Sequence, residues 1–342
     1  MILCVSSHPP PARGARPPGQ NARALASGLL AGVAADAMLG DPRHGHPVAI
    51  FGSCATAIEH ASYANSRARG AGFAACCLAM ATAPALAASR LARRHPAAQL
   101  IITMACTWAV TAARSLTSEA ELVRLALAGG DIDRARRRLP SLCGRDPAHL
   151  DAAGIARAVV ESVAENTSDA IVAPLLWGAL AGPAGLTGYR AVNTLDAMVG
   201  HRSPRYERFG WASARLDDIA NWAPSRLTAL LAATLAPVVA GQPASAWRTA
   251  QRDGPRHPSP NAGWCEAAFA GALGVRLGGT LSYAGRTEHR PELGTGRPPG
   301  PADIARAIRL CRAVTAGAAC VAAGLALLGS EARQPEEACD ER

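Results

Sequence analysis

Between residues 161 and 221 the chain concentrates carboxylates and carboxamides at spacings that chemistry can use. The stretch E-S-V-A-E-N-T-S-D at 161–169 puts Glu161, Glu165 and Asp169 at i, i+4 and i+8, so on a helix three carboxylates line one face, with Asn166 among them. Asn193 and Asp196 repeat the theme in Y-R-A-V-N-T-L-D-A-M-V-G-H at 189–201, and Asp217, Asp218 and Asn221 repeat it in A-R-L-D-D-I-A-N-W-A-P-S-R at 214–226. Stacked like charges repel, and a cation among them removes the repulsion. A hard divalent ion such as magnesium, bridging to a phosphorylated substrate, is the simplest such cation.

Two readings of the first cluster stand side by side. One is a solvated helix face on which Arg157 pairs with Glu161; the other is a magnesium-phosphate site shared with the two later clusters. Three acid/amide clusters, each beside an apolar segment, favour the shared site. Arginine supplies the anion-binding chemistry. Arg215, two residues before the Asp217–Asp218 pair, and Arg226, after N-W-A-P-S, are the best placed to take a phosphate or carboxylate. Arg145, Arg190, Arg202, Arg205, Arg252 and Arg256 carry the same chemistry, which lipid headgroups or solvent would equally satisfy. Asn261 and Trp264 lie in a glycine-bounded turn. Asp36 and Asp41 flank the end of an apolar segment where a turn or cap explains them, and His46 before Pro47 reads as structural.

The elements that must position these groups are apolar. The 342 residues are 49% hydrophobic but 4% aromatic, a composition of Ala, Leu and Val that suits closely packed helices. Apolar segments run at about 25–39, 71–89, 99–113, 170–188, 227–241 and 312–329, and those at 71–89 and 99–113 carry no charge. Surface helices with one wet face do not look like this. The expected fold is therefore all-α, a polytopic membrane protein of about five to six apolar helices with long polar loops. Residues 1–22 read as a disordered arm, 23–330 as one membrane catalytic domain and 331–342 as a disordered tail. Segment 170–188 is broken by Pro174, Gly178, Gly182 and Pro183, and a re-entrant path would bring its flanking motifs together. The stretch 114–169, with R-A-R-R-R at 134–138, reads as a long basic loop facing the cytoplasm, and 242–311 as a second long loop.

Composition also excludes. All 35 basic residues are arginine, so neither a Walker-type phosphate loop nor a Schiff-base lysine exists here. The net charge of +9 comes without a basic stripe interleaved with aromatics, which argues against nucleic acid. The ten cysteines form no C-x-x-C pair; Cys76, Cys77, Cys106 and Cys320 lie in apolar segments and read as small core residues. G-T-G-R-P-P-G at 294–300 sits among prolines and is no dinucleotide fingerprint. The residues by themselves lead to a polytopic membrane enzyme that handles phosphorylated or nucleotide substrates with magnesium.

The same motifs resemble, in order, those of the CobD/CbiB family of cobalamin biosynthesis: D-x-x-L-G-D-P-x-x-x-H-P-V at 36–48, G-R-D at 144–146, then 161–169, 189–200, 214–227 and H-P-S-P-N-A-G-W at 257–264. The resemblance runs from about residue 25 to 330. It implies an integral membrane enzyme of the cell membrane, a ligase that joins aminopropanol or its phosphate to the f-propionate carboxyl of adenosylcobyric acid by an amide bond. It further implies ATP as co-substrate with Mg2+, corrinoid and aminopropanol substrates, contact with lipid, and other membrane enzymes of the pathway as partners. On that basis Glu161, Glu165, Asp169, Asp217 and Arg215 are expected to be catalytic, Asn166, Asn193, Arg226, Arg145 and Asn261 to bind the nucleotide, and Glu165, Asp169, Asp196, Asp217 and Asp218 to hold the metal. Pro147 and His201 depart from the family pattern, which expects a threonine and an aromatic there. Two other classes are compatible with acidic clusters beside apolar helices: a membrane prenyl- or phospho-alcohol transferase, for which the tighter D-x-x-x-D repeats are missing, and a non-catalytic sensor or transport component, for which internal repeats are missing.

Overall fold

In lipid a chain must satisfy its backbone internally, and long alanine- and leucine-rich stretches do so as helices. The structure, a computed structural model, describes residues 19–41, 45–144, 146–201, 203–283 and 286–331. Five helical runs are long and apolar enough to cross a membrane: Gly19–Leu39, Arg67–Ala92, Pro96–Ala128, Ala152–Gly200 and Pro301–Gly329. Leu86, Leu91, Ile101, Leu180, Leu327 and Leu328 on these runs point outward, as lipid-facing side chains do. The protein is a polytopic helical membrane protein.

The elements are α1 (Gly19–Leu39), α2 (Pro47–Ser62), α3 (Arg67–Ala92), α4 (Pro96–Val110), α5 (Ala113–Ala128), α6 (Ile132–Arg138), α7 (Ala152–Thr167), α8 (Ala173–Leu195), α9 (Tyr206–Phe209), α10 (Trp211–Ala220), α11 (Trp222–Thr234), α12 (Pro243–Asp253) and α13 (Ala262–Leu273). An antiparallel pair, β1 (Leu277–Tyr283) and β2 (Arg286–Leu293), follows, and then α14 (Pro301–Glu331). Helix α1 packs on α4 and α14. Gly28 and Gly32 permit the first of these contacts, because a Cβ on Gly28 would lie 2.6 Å from Thr103 Cβ, and one on Gly32 would strike Thr107 in the same way. Small residues four apart let two helices approach where lipid offers no hydrophobic drive. The principal core gathers Leu29 of α1, Ile155 and Val159 of α7, Phe269 of α13 and Val314 of α14.

The run Ala152–Gly200 is not one straight helix. It widens into π-turns at Ser168–Val172 and Asp196–Gly200, and at Gly182 the backbone takes φ 64° and ψ −153° immediately before Pro183. The chain folds back on itself there. A Cβ on Gly178 would sit 2.7 Å from Leu186 Cδ2, and one on Gly185 would strike the Trp177 carbonyl. Residues eight apart on a straight helix would be separated by about 12 Å. The break expected in 170–188 is thus present as a tight helical hairpin, and its two arms carry the two acidic motifs.

Other expectations need correction. The stretch 114–169 is not a loop but largely α5, α6 and α7, because its charges pair locally, as in Arg124–Glu121 at 2.7 Å and Arg136–Asp133 at 3.1 Å. The stretch 242–311 holds α12, α13, the β-hairpin and the start of α14. The sixth apolar segment, 227–241, stops short of a span: α11 ends at Thr234 and a 3-10 turn with Ala240 at φ 56° closes it. Helix α1 already begins at Gly19, inside the expected arm, while 1–18 and 332–342 lie outside the described residues. Of the four cysteines assigned to a core, Cys77 is buried and Cys106 half-buried, but Cys76 and Cys320 are exposed; all cysteines among the described residues are free. His46 caps α2, its Nδ1 accepting the Val48 N–H at 3.2 Å, as its place before proline suggests.

Asp253 fastens the β-hairpin to α12. Its buried carboxylate accepts the Gly294 N–H at 2.8 Å and pairs with Arg252 at 2.6 Å and Arg256 at 3.5 Å. The Arg252 hydrogen bonds hold its carboxyl below the usual range, so this stabilisation is complete above the unfolded value of about 3.9 and is lost as pH falls through the folded one. Asp253→Asn should lower the thermal midpoint by a few degrees at pH 7, a deficit that shrinks below about pH 4, read by melting curves in detergent. Gly182→Ala should cost about 1–3 kcal/mol, since that φ/ψ region is essentially closed to side chains; a melting midpoint equal to the parent protein's would contradict the hairpin.

Candidate functional site

Asp169 lies 13 residues before Gly182 and Asp196 lies 14 after it, so closing the hairpin sets the two side by side at the level of the two π-turns. A π-turn inserts one residue into the helical register and re-aims the side chains there. Asp169 is within electrostatic reach of Glu165, Asp217 and Asp196 and of the Arg190 guanidinium. Asp196 in turn feels Asp218 and Glu165. Three motifs that are separate in sequence therefore share one acidic cluster.

The corner between α10 and α11 is bolted to both arms of the hairpin. Trp177 on the first arm donates its Nε1–H to the Ala220 carbonyl at 3.0 Å. On the second arm, Tyr189 Oη donates to Asn221 Oδ1 at 2.7 Å, and Asn193 Nδ2 reaches Asp217 Oδ1 at 3.4 Å. Tyr189 and Asn221 are 4% and 1% exposed, so this bond cannot be exchanged for water. Burial, followed by the negative charge of Asp196, pushes the Asp217 carboxyl up to about 7.

The start of α11 carries a cation that the turn before α13 holds in place. Arg226 lies between the rings of Trp222 and Trp264, its guanidinium carbon 4.9 Å from each centroid, and donates to Asn261 Oδ1 at 3.0 Å. Asn261 is fixed from behind, its Nδ2 donating to the Asp218 carbonyl at 2.8 Å. Cys265, one turn into α13, lies buried against Ser168 and within reach of the charges on Asp169 and Glu165, and burial pushes its thiol up, away from reactivity. Pre-set between two indoles, Arg226 loses little freedom on taking an anion.

Not every candidate joins. Glu161 is 5% exposed, and its Oε1 accepts the Gly278 N–H at 2.7 Å, so it ties α7 to β1 and is not among the charges that Asp169 feels. Arg215 stands at the exposed rim, 3.5 Å from Asp218. Asn166 spends its amide within its own helix, donating to the Ser162 carbonyl at 2.9 Å and to Ser162 Oγ at 3.2 Å. Arg145 and Arg202 lie outside the described residues. His201 stacks edge-on against Tyr206, with ring centroids 5.0 Å apart. Asp36, only 1% exposed, accepts the Arg114 N–H at 3.2 Å and so caps α5. Tyr189, Trp177 and Cys265 were missed as framework; for Tyr189 the i, i+4 spacing to Asn193 was the available signal.

The donor set can be matched to a metal. Among the described residues, no three Cys, His, Asp or Glu side chains converge closely enough to enclose an ion unaided. Magnesium rarely asks for such a cage: it takes one or two carboxylates and completes its octahedron with water and phosphate oxygens. Burial first and the Asp196 charge second push the Asp217 carboxyl up to about 7, a cost that a cation bound there would offset. Glu165, Asp169, Asp196 and Asp217 thus fit a magnesium ion that arrives with a phosphorylated ligand.

Comparison with known proteins gives a consistent result. The family described as "CobD/Cbib protein" matches residues 29–311. The chain is 50% identical over 298 residues to "Cobalamin biosynthesis protein CobD" of Mycobacterium tuberculosis, covering 87% of this chain and 94% of that one. It is 42% identical over 314 residues to the protein of the same name from Rhodobacter capsulatus, covering 90% and 99%. The Chromobacterium violaceum protein of that name is 45% identical over 284 residues, covering 80% and 88%. No solved structure matches the chain.

The raised Asp217 carboxyl makes a signed prediction. A group whose folded value exceeds its unfolded one costs stability as pH rises from about 4 to about 7, with the full cost above that. Asp217→Asn should therefore raise the thermal midpoint of the magnesium-free protein at pH 8 by a few degrees and leave it nearly unchanged at pH 4, as measured by melting curves across that range.

Proposed function

The chain belongs to the CobD/CbiB family of cobalamin biosynthesis proteins, and from that premise we propose that it forms an amide between a corrinoid carboxylate and a small amino alcohol at the expense of ATP. The acid is adenosylcobyric acid, reacting at its f-propionate, and the amine is aminopropanol or its phosphate. The observation that supports this reading is the convergence of Glu165, Asp169, Asp196 and Asp217 from three motifs, with Arg226, clamped between two indoles, tied to the Asp218 backbone through Asn261.

A carboxylate does not condense with an amine in neutral water unless its oxygen is first made a leaving group. Transfer of the terminal phosphoryl of ATP to the carboxylate oxygen, releasing ADP, does this; the amine nitrogen then attacks the acyl carbon and phosphate departs with the oxygen. Magnesium, when bound, carries the ATP phosphates and offsets their charge. Glu165, Asp169, Asp196 and Asp217 would hold it, with Asn193 orienting Asp217. Arg226 neutralises the phosphoryl oxygens and keeps its geometry because Trp222, Trp264 and Asn261 fix it on three sides. The low-dielectric helices around the cluster exclude the water that would hydrolyse an activated acyl group.

In this reading the protein is a multi-pass ligase of the cell membrane whose cluster opens to the cytoplasm, the side that supplies ATP. The arginines at 134–138 belong on that side by the positive-inside rule. Corrinoid intermediates and lipid are its contacts, with other membrane enzymes of the pathway as candidate neighbours.

Detergent-purified protein given adenosylcobyric acid, ATP and magnesium with either amine should convert the corrinoid to a species heavier by one amide-linked amino alcohol, dependent on ATP. Glu165→Gln and Asp217→Asn should each lower kcat by about 100-fold or more while the protein remains folded. Turnover near the parent rate in both variants would overturn the assignment of the acidic cluster.

A further inference from the structure

Arg190 lies on the second arm of the hairpin, between Tyr189 with its bond to Asn221 and the Asn193 amide that reaches Asp217. Its guanidinium makes no hydrogen bond and no ion pair among the described residues, and Nε is sealed from solvent without a partner. It feels the charges of Asp41 and Asp169 but bonds to neither. Ionisable groups at such depth are costly and are kept where a ligand or partner meets them.

What Arg190 adjoins is a cavity of about 530 Å³ between α2, α3, α4 and α8. Its walls are apolar: Phe51, Met80, Cys106 and Ala109 are typical. Trp108 brings an indole N–H, but that donor is spent on the Gly40 carbonyl at 3.0 Å. A pocket of this size with apolar walls and one unpartnered cation selects an organic acid, whose carboxylate the guanidinium holds by two parallel bonds while the walls take an aliphatic arm. The same guanidinium is within electrostatic reach of Asp169, so a carboxylate held by Arg190 lies near the acidic cluster.

Resting on the amide-forming reading above, we propose that Arg190 is the carboxylate-binding residue for the acid substrate, and that the cavity behind it receives the arm carrying that carboxylate. Arg190 then does two things. It selects a free carboxylate over an amide already made, and it holds the oxygen that is to be phosphorylated against the magnesium-phosphate cluster. The finished product, having lost its charge, loses this anchor and leaves.

The test is equilibrium binding to the full-length protein in nanodiscs without ATP, followed by corrin absorbance in the bound fraction. Adenosylcobyric acid is compared with adenosylcobinamide, in which the same carboxyl is already an amide. The parent protein should prefer the acid. Arg190→Gln should weaken acid binding by about 10- to 100-fold and leave amide binding unchanged; Arg190→Lys should restore part of the loss. Ala109→Phe, which fills the cavity and spares the cation, should weaken the acid in a protein that folds even if the glutamine variant does not. Equal acid binding by Arg190→Gln and the parent, or equal loss for acid and amide, would overturn the proposal. So would a co-purifying phospholipid, seen by native mass spectrometry, that occupies the parent and is absent from Arg190→Gln. Because no turnover is involved, acid binding that depends on Arg190 in a protein that makes no amide would refute the reaction and leave the site standing; amide formation unaffected by Arg190→Gln would do the reverse.

Discussion

Carboxylates that water cannot screen repel one another strongly, and this protein keeps four of them together at the end of a membrane-embedded hairpin. The rest of the structure answers to that repulsion. The hairpin turn at Gly182 creates the proximity, the π-turns aim the side chains, and Asn193 and Asn221 give Asp217 amide neighbours that soften its burial. Such a site is stable only to the extent that its framework overrules the repulsion.

The overruling framework is a set of bonds that cross between elements. Trp177, Tyr189 and Asn193 hold the α10–α11 corner against both arms. Asn261 closes the triangle by holding both the Asp218 carbonyl and the Arg226 guanidinium. Each of these bonds joins polar groups that would be expensive to bury alone, so the network is cooperative: loosening one strand leaves another donor or acceptor unpaid for. The Trp222–Arg226–Trp264 stack adds an aromatic grip that lysine could not share, in a chain whose every basic residue is arginine.

Much of this was legible in the chain itself. Charge-free apolar stretches announced spans, and Gly182–Pro183 inside one of them announced a break, because neither residue continues a helix through lipid without a reason. The spacing of Glu165 to Asp169 and of Asn193 to Asp196 announced the clusters. What escaped was whatever depended on a distant partner. Glu161 has the same local spacing as Glu165, yet its carboxylate meets a backbone N–H 117 residues away, and no local pattern reports that. The arginine-rich stretch after α4 looked like a loop because its charges were counted singly, whereas the fold pairs them along α5 and α6. The π-turns were equally invisible: the first lies where Ser168 meets Cys265, and sequence carries no register mark for either.

The packing of α1 against both α4 and α14 bears on how the molecule is made. A nascent chain is delivered to the bilayer from one end, and α1 arrives with half of its partners still unsynthesised. Its glycines at 28 and 32, shaped for Thr103 and Thr107, find α4 early, but the opposite flank stays open to lipid until α14 has left the ribosome. Biogenesis therefore has a late step: the hairpin and its acidic cluster can be threaded and paired beforehand, while the packing around α1 is completed only when α14 inserts.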